Sequence, residues 1–251
     1  MLKSTTEPFT ELFRPPGQAK GQATGQEAVR GAWHVHPGHL APLPDTYAWE
    51  ERRFAAMREG IAGPMHHVWT PQESLSISRA EARRIGLDEI EPAETLGIRA
   101  TGGTVVPQGK GTANLTLFTR HREHPGIRKF YTDWCAALAE GFETLGLTTT
   151  VGPCEGSFCD GEFNLLLDGR KLVGTAQRWG RARDGSTIGH HHAVVMMGAD
   201  PAVLCRRVDA LYRQAGFPDR ADPGVHASPA LDIVAVRRAL APPLQRLLRR
   251  A

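Results

Sequence analysis

The stretch FNLLLDGRKLVGTAQRWGRARDGSTIGHHHAVVMM, residues 163–197, contains Asp-Gly twice, at Asp168-Gly169 and Asp184-Gly185, each time between runs rich in apolar residues. Both residue types tolerate the positive φ that a tight two-residue turn demands, so each pair predicts a hairpin and the stretch predicts a meander of three antiparallel strands. Just upstream, LTTTVGP reads as a further strand. Before that, GIRKFYTDWCAALAEGFETL places Phe130, Trp134, Leu138 and Phe142 at steps of four, the period of an amphipathic helix. Downstream, ADPAVLCRRVDALYRQAG predicts a helix opened by Asp200 and closed by Gly216. SPALDIVAVRRALAPPLQRLLRRA predicts a last helix broken at Pro242-Pro243, because proline lacks the N–H that the helix interior needs.

The first half carries weaker signals. Residues 1–44 are rich in Gly, Pro, Gln and Ala, lack any sustained period, and read as an extended or poorly ordered arm. Asp45 is the candidate cap of a helix in which Trp49, Phe54 and Met57 share a face. HHVWTP and ESLSIS read as short strands, and Ser78 as the N-cap of a helix through RAEARRIGL. LGIRATGGTVVPQGKGTANLTLF reads as two strands joined by glycine-containing backbone that bends sharply or approaches something closely. Strands on both sides of a long helix, joined as hairpins, predict an α+β fold with a mixed, largely antiparallel β-sheet packed with helices. The expected organisation is an arm over 1–44 and a single domain over 45–251. Neither GxGxxG nor GxxxxGK[ST] is present, so the common nucleotide motifs are missing.

With 251 residues the chain has room for one sizeable core. Its composition, 41% hydrophobic and 23% charged with a net charge of +3, is that of an ordinary globular protein and gives no reason to expect a nucleic acid partner. No run approaches the roughly 18 apolar residues of a membrane span, and the N-terminus has no signal-peptide h-region, so no membrane partner and a cytoplasmic location are expected. Cys135, Cys154, Cys159 and Cys205 are expected as thiols. Cys135 and Cys205 lie on helices as core residues, and Cys154 follows Gly-Pro in a turn. The run His190 to His192 alternates faces if it is a strand, so all three imidazoles cannot hold one ion, and no metal is assigned.

Three segments, RATGGTVVPQGKGTANLTL, DGRKLVGTAQRW and HHHAVVMMGAD, occur in an order that resembles the lipoate/biotin protein ligase superfamily over roughly residues 46–216. The resemblance implies that superfamily's catalytic-domain fold. It also implies that Arg99, Thr101, Gly102, Gly103 and Thr104 line an acyl and nucleotide pocket, that Asn114, Gly174, Thr175 and Gln177 bind substrate around it, and that Lys171 lies at the reaction centre. His191 and His192 are the candidates to line the path of an acceptor lysine. GSFCDGEFNL, twelve residues from cysteine to lysine, is similar position by position to the branch of octanoyl and lipoyl transferases that hold the acyl chain on a cysteine. Cys159 and Lys171 are thereby the candidate catalytic pair, and an ammonium beside a thiol raises its thiolate fraction.

The activity implied is transfer of an octanoyl or lipoyl group through a Cys159 thioester. The donor would be acyl carrier protein or a lipoylated protein, and the acceptor a lipoyl domain or a glycine-cleavage H-type protein, with no cofactor required. Thr104 replaces a usual third glycine and Pro107-Gln108 replaces the His-Asp of many ligases. The ligases' C-terminal accessory domain is also not expected. The last two departures weigh against the alternative, an ATP- and Mg-dependent lipoate ligase. A catalytically silent lipoate- or carrier-binding domain is the third reading.

Overall fold

Both Asp-Gly pairs turn the chain. In the computed structural model, which describes residues 40–218 and 221–250, Asn164–Leu167 pairs antiparallel with Arg170–Arg181, and that strand with Thr187–Met196. Asp168 and Gly169 have φ of 50° and 74°, the left-handed pair that a tight hairpin turn requires. Counting from Leu40–Ala41 (β1), the preceding strands are Met65–Pro71 (β2), Ser74–Ser78 (β3), Leu96–Arg99 (β4), Val106–Gln108 (β5), Thr112–His121 (β6) and Thr149–Gly152 (β7). The meander supplies β8, β9 and β10. A seven-stranded sheet runs β1-β2-β6-β10-β9-β8-β7, antiparallel except where β1 lies parallel to β2, and a three-stranded sheet runs β4-β3-β5. This is the expected α+β arrangement.

The helices are Leu43–Arg58 (α1), Arg79–Arg84 (α2), Ile127–Glu143 (α3), Pro201–Gln214 (α4) and Ile233–Arg250 (α5). The four-residue stripe of α3 is buried against Leu115, Leu117, Val173 and Val195 of the larger sheet and against α5. Leu204, Val208 and Leu211 of α4 close a second core over Leu75, Ile77 and Val106 of the smaller sheet. Phe158 belongs to that second core, so the loop bearing Cys159 lies on the smaller-sheet side of the molecule, next to the meander. The side chains of Ser78 and Asp200 accept the N–H groups of Glu81 and Ala202, as N-caps do. Among the described residues no helix is long and apolar enough to cross a membrane.

Three expectations need correction, and of the arm expected over 1–44, residues 1–39 lie outside the described residues while Leu40 and Ala41 pair with Thr70 and Pro71 and α1 begins at Leu43. Pro42, not Asp45, occupies the N-cap, and Asp45 sits in the first turn, where its charge complements the helix dipole. Residues 96–121 form three strands instead of two, because the Gly109 and Gly111 backbone, both at positive φ, turns the chain from β5 in the smaller sheet into β6 in the larger one. Helix α5 continues through Pro242 and Pro243. Val236, Leu240, Leu244 and Leu247 are buried against α3, and at roughly 1.5–3 kcal/mol each they offset interior prolines costing about 3 kcal/mol apiece. Gly141 permits that contact, since a Cβ there would lie 2.6 Å from Leu240.

Candidate active site

Cys159 has φ of 53°, an uncommon conformation for a residue with a side chain. Its Sγ accepts the Thr104 N–H at 3.2 Å and lies 3.9 Å from Nη2 of Arg99. Arg99 is only 4% exposed and organises the loop after β4. Its guanidinium donates to the carbonyls of Gly102 and Thr104, the latter at 2.6 Å, and to Ser76 Oγ at 3.0 Å. Gly103, at φ of 96°, passes so close that a Cβ there would meet the Cys159 sulfur at 2.5 Å and Arg99 Nη2 at 2.8 Å. The glycine signal in RATGGT therefore reports a backbone wrapped around a guanidinium and pressed against a thiol.

Lys171 follows the Asp168-Gly169 turn on β9 and is 1% exposed. Its Nζ donates to the carbonyls of Phe158 and Cys159 at 2.8 and 2.7 Å, with Ser157 Oγ at 3.4 Å. The ammonium thus grips the backbone of the cysteine instead of touching its sulfur, and holds that residue in its left-handed conformation. Gly174 leaves room for it, since a Cβ there would stand 3.1 Å from Lys171 Cε. Burial pushes the Lys171 ammonium below the ordinary lysine range, against the pull of Cys159 and Asp160. Burial pushes the Cys159 thiol up, but Arg99, Lys171 and the Thr104 N–H outweigh it and bring the thiol below its ordinary value.

The cysteine opens on a cavity with apolar walls from Val106, Pro107, Phe158, Ala176, Val194 and Met196. Arg99, Asn114, Lys171, Gly174, Thr175 and His192 from the sequence-predicted set also line it. Asn114 donates to Gln108 Oε1 at 2.9 Å, Thr175 Oγ1 to the Phe163 carbonyl, and Thr101 Oγ1 lies 3.0 Å from His192 Nδ1. Thr101 to Thr104 contribute loop backbone and support around this space without walling it.

Two predicted residues are elsewhere. Gln177 donates to the Ile127 carbonyl at the start of α3, and His191 lies on the opposite face of β10, stacked 4.1 Å from Phe130 and 3.0 Å from Thr119 Oγ1. Burial pushes the pKa of His191 well below the ordinary histidine value, so it is a neutral core group. Tyr47 and Ser76, bonded to each other at 2.7 Å, were not singled out from the sequence and complete the wall. His226 stacks 4.2 Å from Phe158 behind the cysteine, while Ala227 N–H donates to the Lys171 carbonyl at 2.8 Å. No motif marks these positions, since each reaches the site from an element distant in sequence.

A half-buried thiol at the mouth of an apolar cavity, on this largely antiparallel α+β scaffold, defines a class of protein: catalytic domains that handle acyl groups. The lipoyl protein ligase A/B catalytic domain model matches residues 43–216, from the first residue of α1 to just beyond α4, and the chain belongs to that family. An uncharacterized protein of Cupriavidus necator is 32% identical over 227 residues, 83% of this chain and 85% of its own. The octanoyl-[GcvH]:protein N-octanoyltransferase of Kyrpidia tusciae is 29% identical over 215 residues, 79% of this chain and 75% of its own. A lipoate-protein ligase A structure with bound ATP shares the fold with a TM-score of 0.58 at 18% identity, over 85% of this chain and 86% of that one.

Proposed function

We propose that the protein is an acyltransferase that moves an octanoyl group from one carrier protein to a lysine of a lipoyl-accepting protein, through a thioester on Cys159. The observation that carries this reading is the Cys159 sulfur itself. It lies between the Thr104 N–H and the Arg99 guanidinium and faces a cavity whose apolar walls suit a fatty acyl chain. Relatives named octanoyl-[GcvH]:protein N-octanoyltransferase support octanoate as the group and a GcvH-type protein among the partners.

The chemistry follows from the groups present. The Cys159 thiolate attacks the carbonyl carbon of the donor's octanoyl group, a new S–C bond forms, and the bond to the carrier breaks: a thioester donor releases its thiolate, which takes a proton from solvent, and an octanoyl-lysine donor releases its amine, which takes the proton it needs from solvent. With a thioester donor this exchange, and with an amide donor the overall amide-to-amide transfer, is close to isoenergetic, so no nucleotide is needed. The neutral amine of an acceptor lysine then attacks the Cys159 thioester. The amide bond forms, the C–S bond breaks, and the amine's proton neutralises the released thiolate. The Thr104 N–H and the Arg99 guanidinium are the nearest donors to charge developing beside the sulfur, while Lys171 keeps the nucleophile's backbone in place.

The test is intact mass spectrometry after incubation with octanoyl-GcvH or octanoyl-acyl carrier protein. A hydroxylamine-sensitive octanoyl adduct, present in the wild type and missing in Cys159→Ala, is expected, and the productive donor identifies the carrier. Lipoylation or octanoylation that requires ATP and survives Cys159→Ala would overturn the transferase reading in favour of a ligase. Tight octanoate binding without transfer to any acceptor would favour a silent binding domain.

A further inference from the structure

We propose that Glu50, His190 and His192 form a buried site for one divalent transition-metal ion of the zinc class. Strand alternation that separates His191 from its neighbours puts His190 and His192 on one face of β10, where α1 brings Glu50 down onto them. Their ligand atoms converge. Glu50 Oε2 lies 2.8 Å from His192 Nε2 and 3.4 Å from His190 Nε2, and the two Nε2 atoms are 3.0 Å apart. Donor atoms around a tetrahedral ion with bonds of about 2.0–2.1 Å stand roughly 3.3 Å from one another, close to this spacing. His67 Nε2 approaches the other carboxylate oxygen at 3.5 Å.

Hydrogen bonding alone accounts for the cluster poorly. Two imidazole nitrogens point at each other and at the same carboxylate oxygen, whereas each Nε2 carries at most one proton. His67, a residue 2% exposed, has no hydrogen-bond partner for Nδ1 among the described residues, and its Nε2 has only the long 3.5 Å approach to Glu50. The surroundings are dry and aromatic: Phe118 stacks 4.5 Å from His190, Tyr47 lies 5.7 Å from His192, and Trp49 meets His67 edge-on at 5.1 Å. An ion placed among Glu50, His190 and His192 would give both of those Nε2 lone pairs and the carboxylate one shared partner. Imidazoles with a carboxylate are ligands that suit zinc.

The site would also reach the catalytic loop. With Nε2 on the metal, His192 carries its proton on Nδ1 and donates it to Thr101 Oγ1, 3.0 Å away. Thr101 begins the Thr-Gly-Gly-Thr turn that contacts Cys159, so the ion would position that turn from behind the cavity without contacting the acyl group.

The experiment uses the untagged full-length protein. Elemental mass spectrometry of the protein as purified should find about one equivalent of a divalent transition metal. Chelator-stripped protein should take up zinc in calorimetry and cobalt(II) with the visible absorption of a tetrahedral site. Glu50→Gln and the paired His190→Asn/His192→Asn variant, checked for folding by circular dichroism, should bind zinc at least about tenfold more weakly. Should those variants unfold, the stripped wild type still decides the matter. If it takes up no zinc, cobalt, nickel or copper, and the purified protein holds none, the cluster is a proton-held network and the proposal fails. It fails equally if metal binds but is unchanged in folded variants, since His34, His36 and His39 in WHVHPGH would then be the ligands. Because every readout is metal content or uptake, these results stand apart from the success or failure of the transferase reading.

Discussion

Two thiols in this protein, one buried in the core and one half-buried at a cavity mouth, behave in opposite ways. Cys135 sits in α3 among Phe130, Trp134, Leu138 and the sheet, its sulfur 3.8 Å from the Phe163 carbonyl and beside the Thr175 hydroxyl, and burial pushes its pKa up to about 12. Cys159 also feels desolvation, yet a guanidinium, an ammonium and a backbone N–H surround it, and its pKa falls below the ordinary thiol value. The difference teaches that enclosure silences a thiol, whereas enclosure by positive charge and oriented donors activates it. The α3 core is regular and apolar. The Cys159 loop is irregular, polar and held at positive φ, as functional backbone often is.

The largest effect that sharpens this contrast should come from Cys159→Ala. Octanoyl transfer between carriers should fall by about 10³-fold or more with the melting temperature little changed, because the nucleophile is lost and a half-buried side chain is only shortened. Full activity in that variant would erase the distinction between the two thiols. Lys171→Met comes next. It leaves the Phe158 and Cys159 carbonyls without their ammonium donor, and transfer should drop on the order of a hundredfold.

The same variant also tests the pH behaviour. Thiolate fraction rises with pH, so a depressed pKa means that wild-type Cys159 is alkylated by iodoacetamide at a lower pH than a free thiol, while Cys135 and Cys205 stay unlabelled in the folded protein. Lys171→Met should shift the Cys159 alkylation profile upward in pH, since a cation that favours the thiolate is gone.

A third, smaller effect is expected from Gly103→Ala. Its Cβ would strike the sulfur and Arg99 at a φ that disfavours alanine, costing about 1–3 kcal/mol of stability and slowing Cys159 alkylation. Cys135→Ala should change least. It should lower stability by about 1 kcal/mol through a small cavity and leave transfer intact, as measured by thermal unfolding and the octanoyl assay. A loss of transfer there would show that the core thiol takes part in the chemistry.

Much of this contrast is legible before any coordinates. The four-step stripe of α3 marks Cys135 as a core neighbour, and the resemblance carried by GSFCDGEFNL with Lys171 twelve residues after Cys159 makes Cys159 the candidate nucleophile. Hairpins at both Asp-Gly pairs and caps at Ser78 and Asp200 are equally local, because turns and caps are decided within a few residues. His191 shows the limit. Alternation along a strand says that neighbouring histidines face opposite ways, but not which face the cavity occupies, and the cavity proved to be on the side of His192.

What the sequence alone determined was the three-strand meander and the α3 stripe, consequences of short-range period and spacing, while its resemblance to the ligase superfamily singled out Cys159 and Lys171 as candidates. Only the tertiary structure decided that Lys171 binds carbonyls and not sulfur, that Arg99 is the guanidinium beside the thiol, and that α5 runs unbroken through two prolines. It also decided that Glu50 from α1 meets His190 and His192 from β10. These outcomes depend on which buried groups from distant segments meet, and on the desolvation and packing energies of those meetings, which no local pattern encodes.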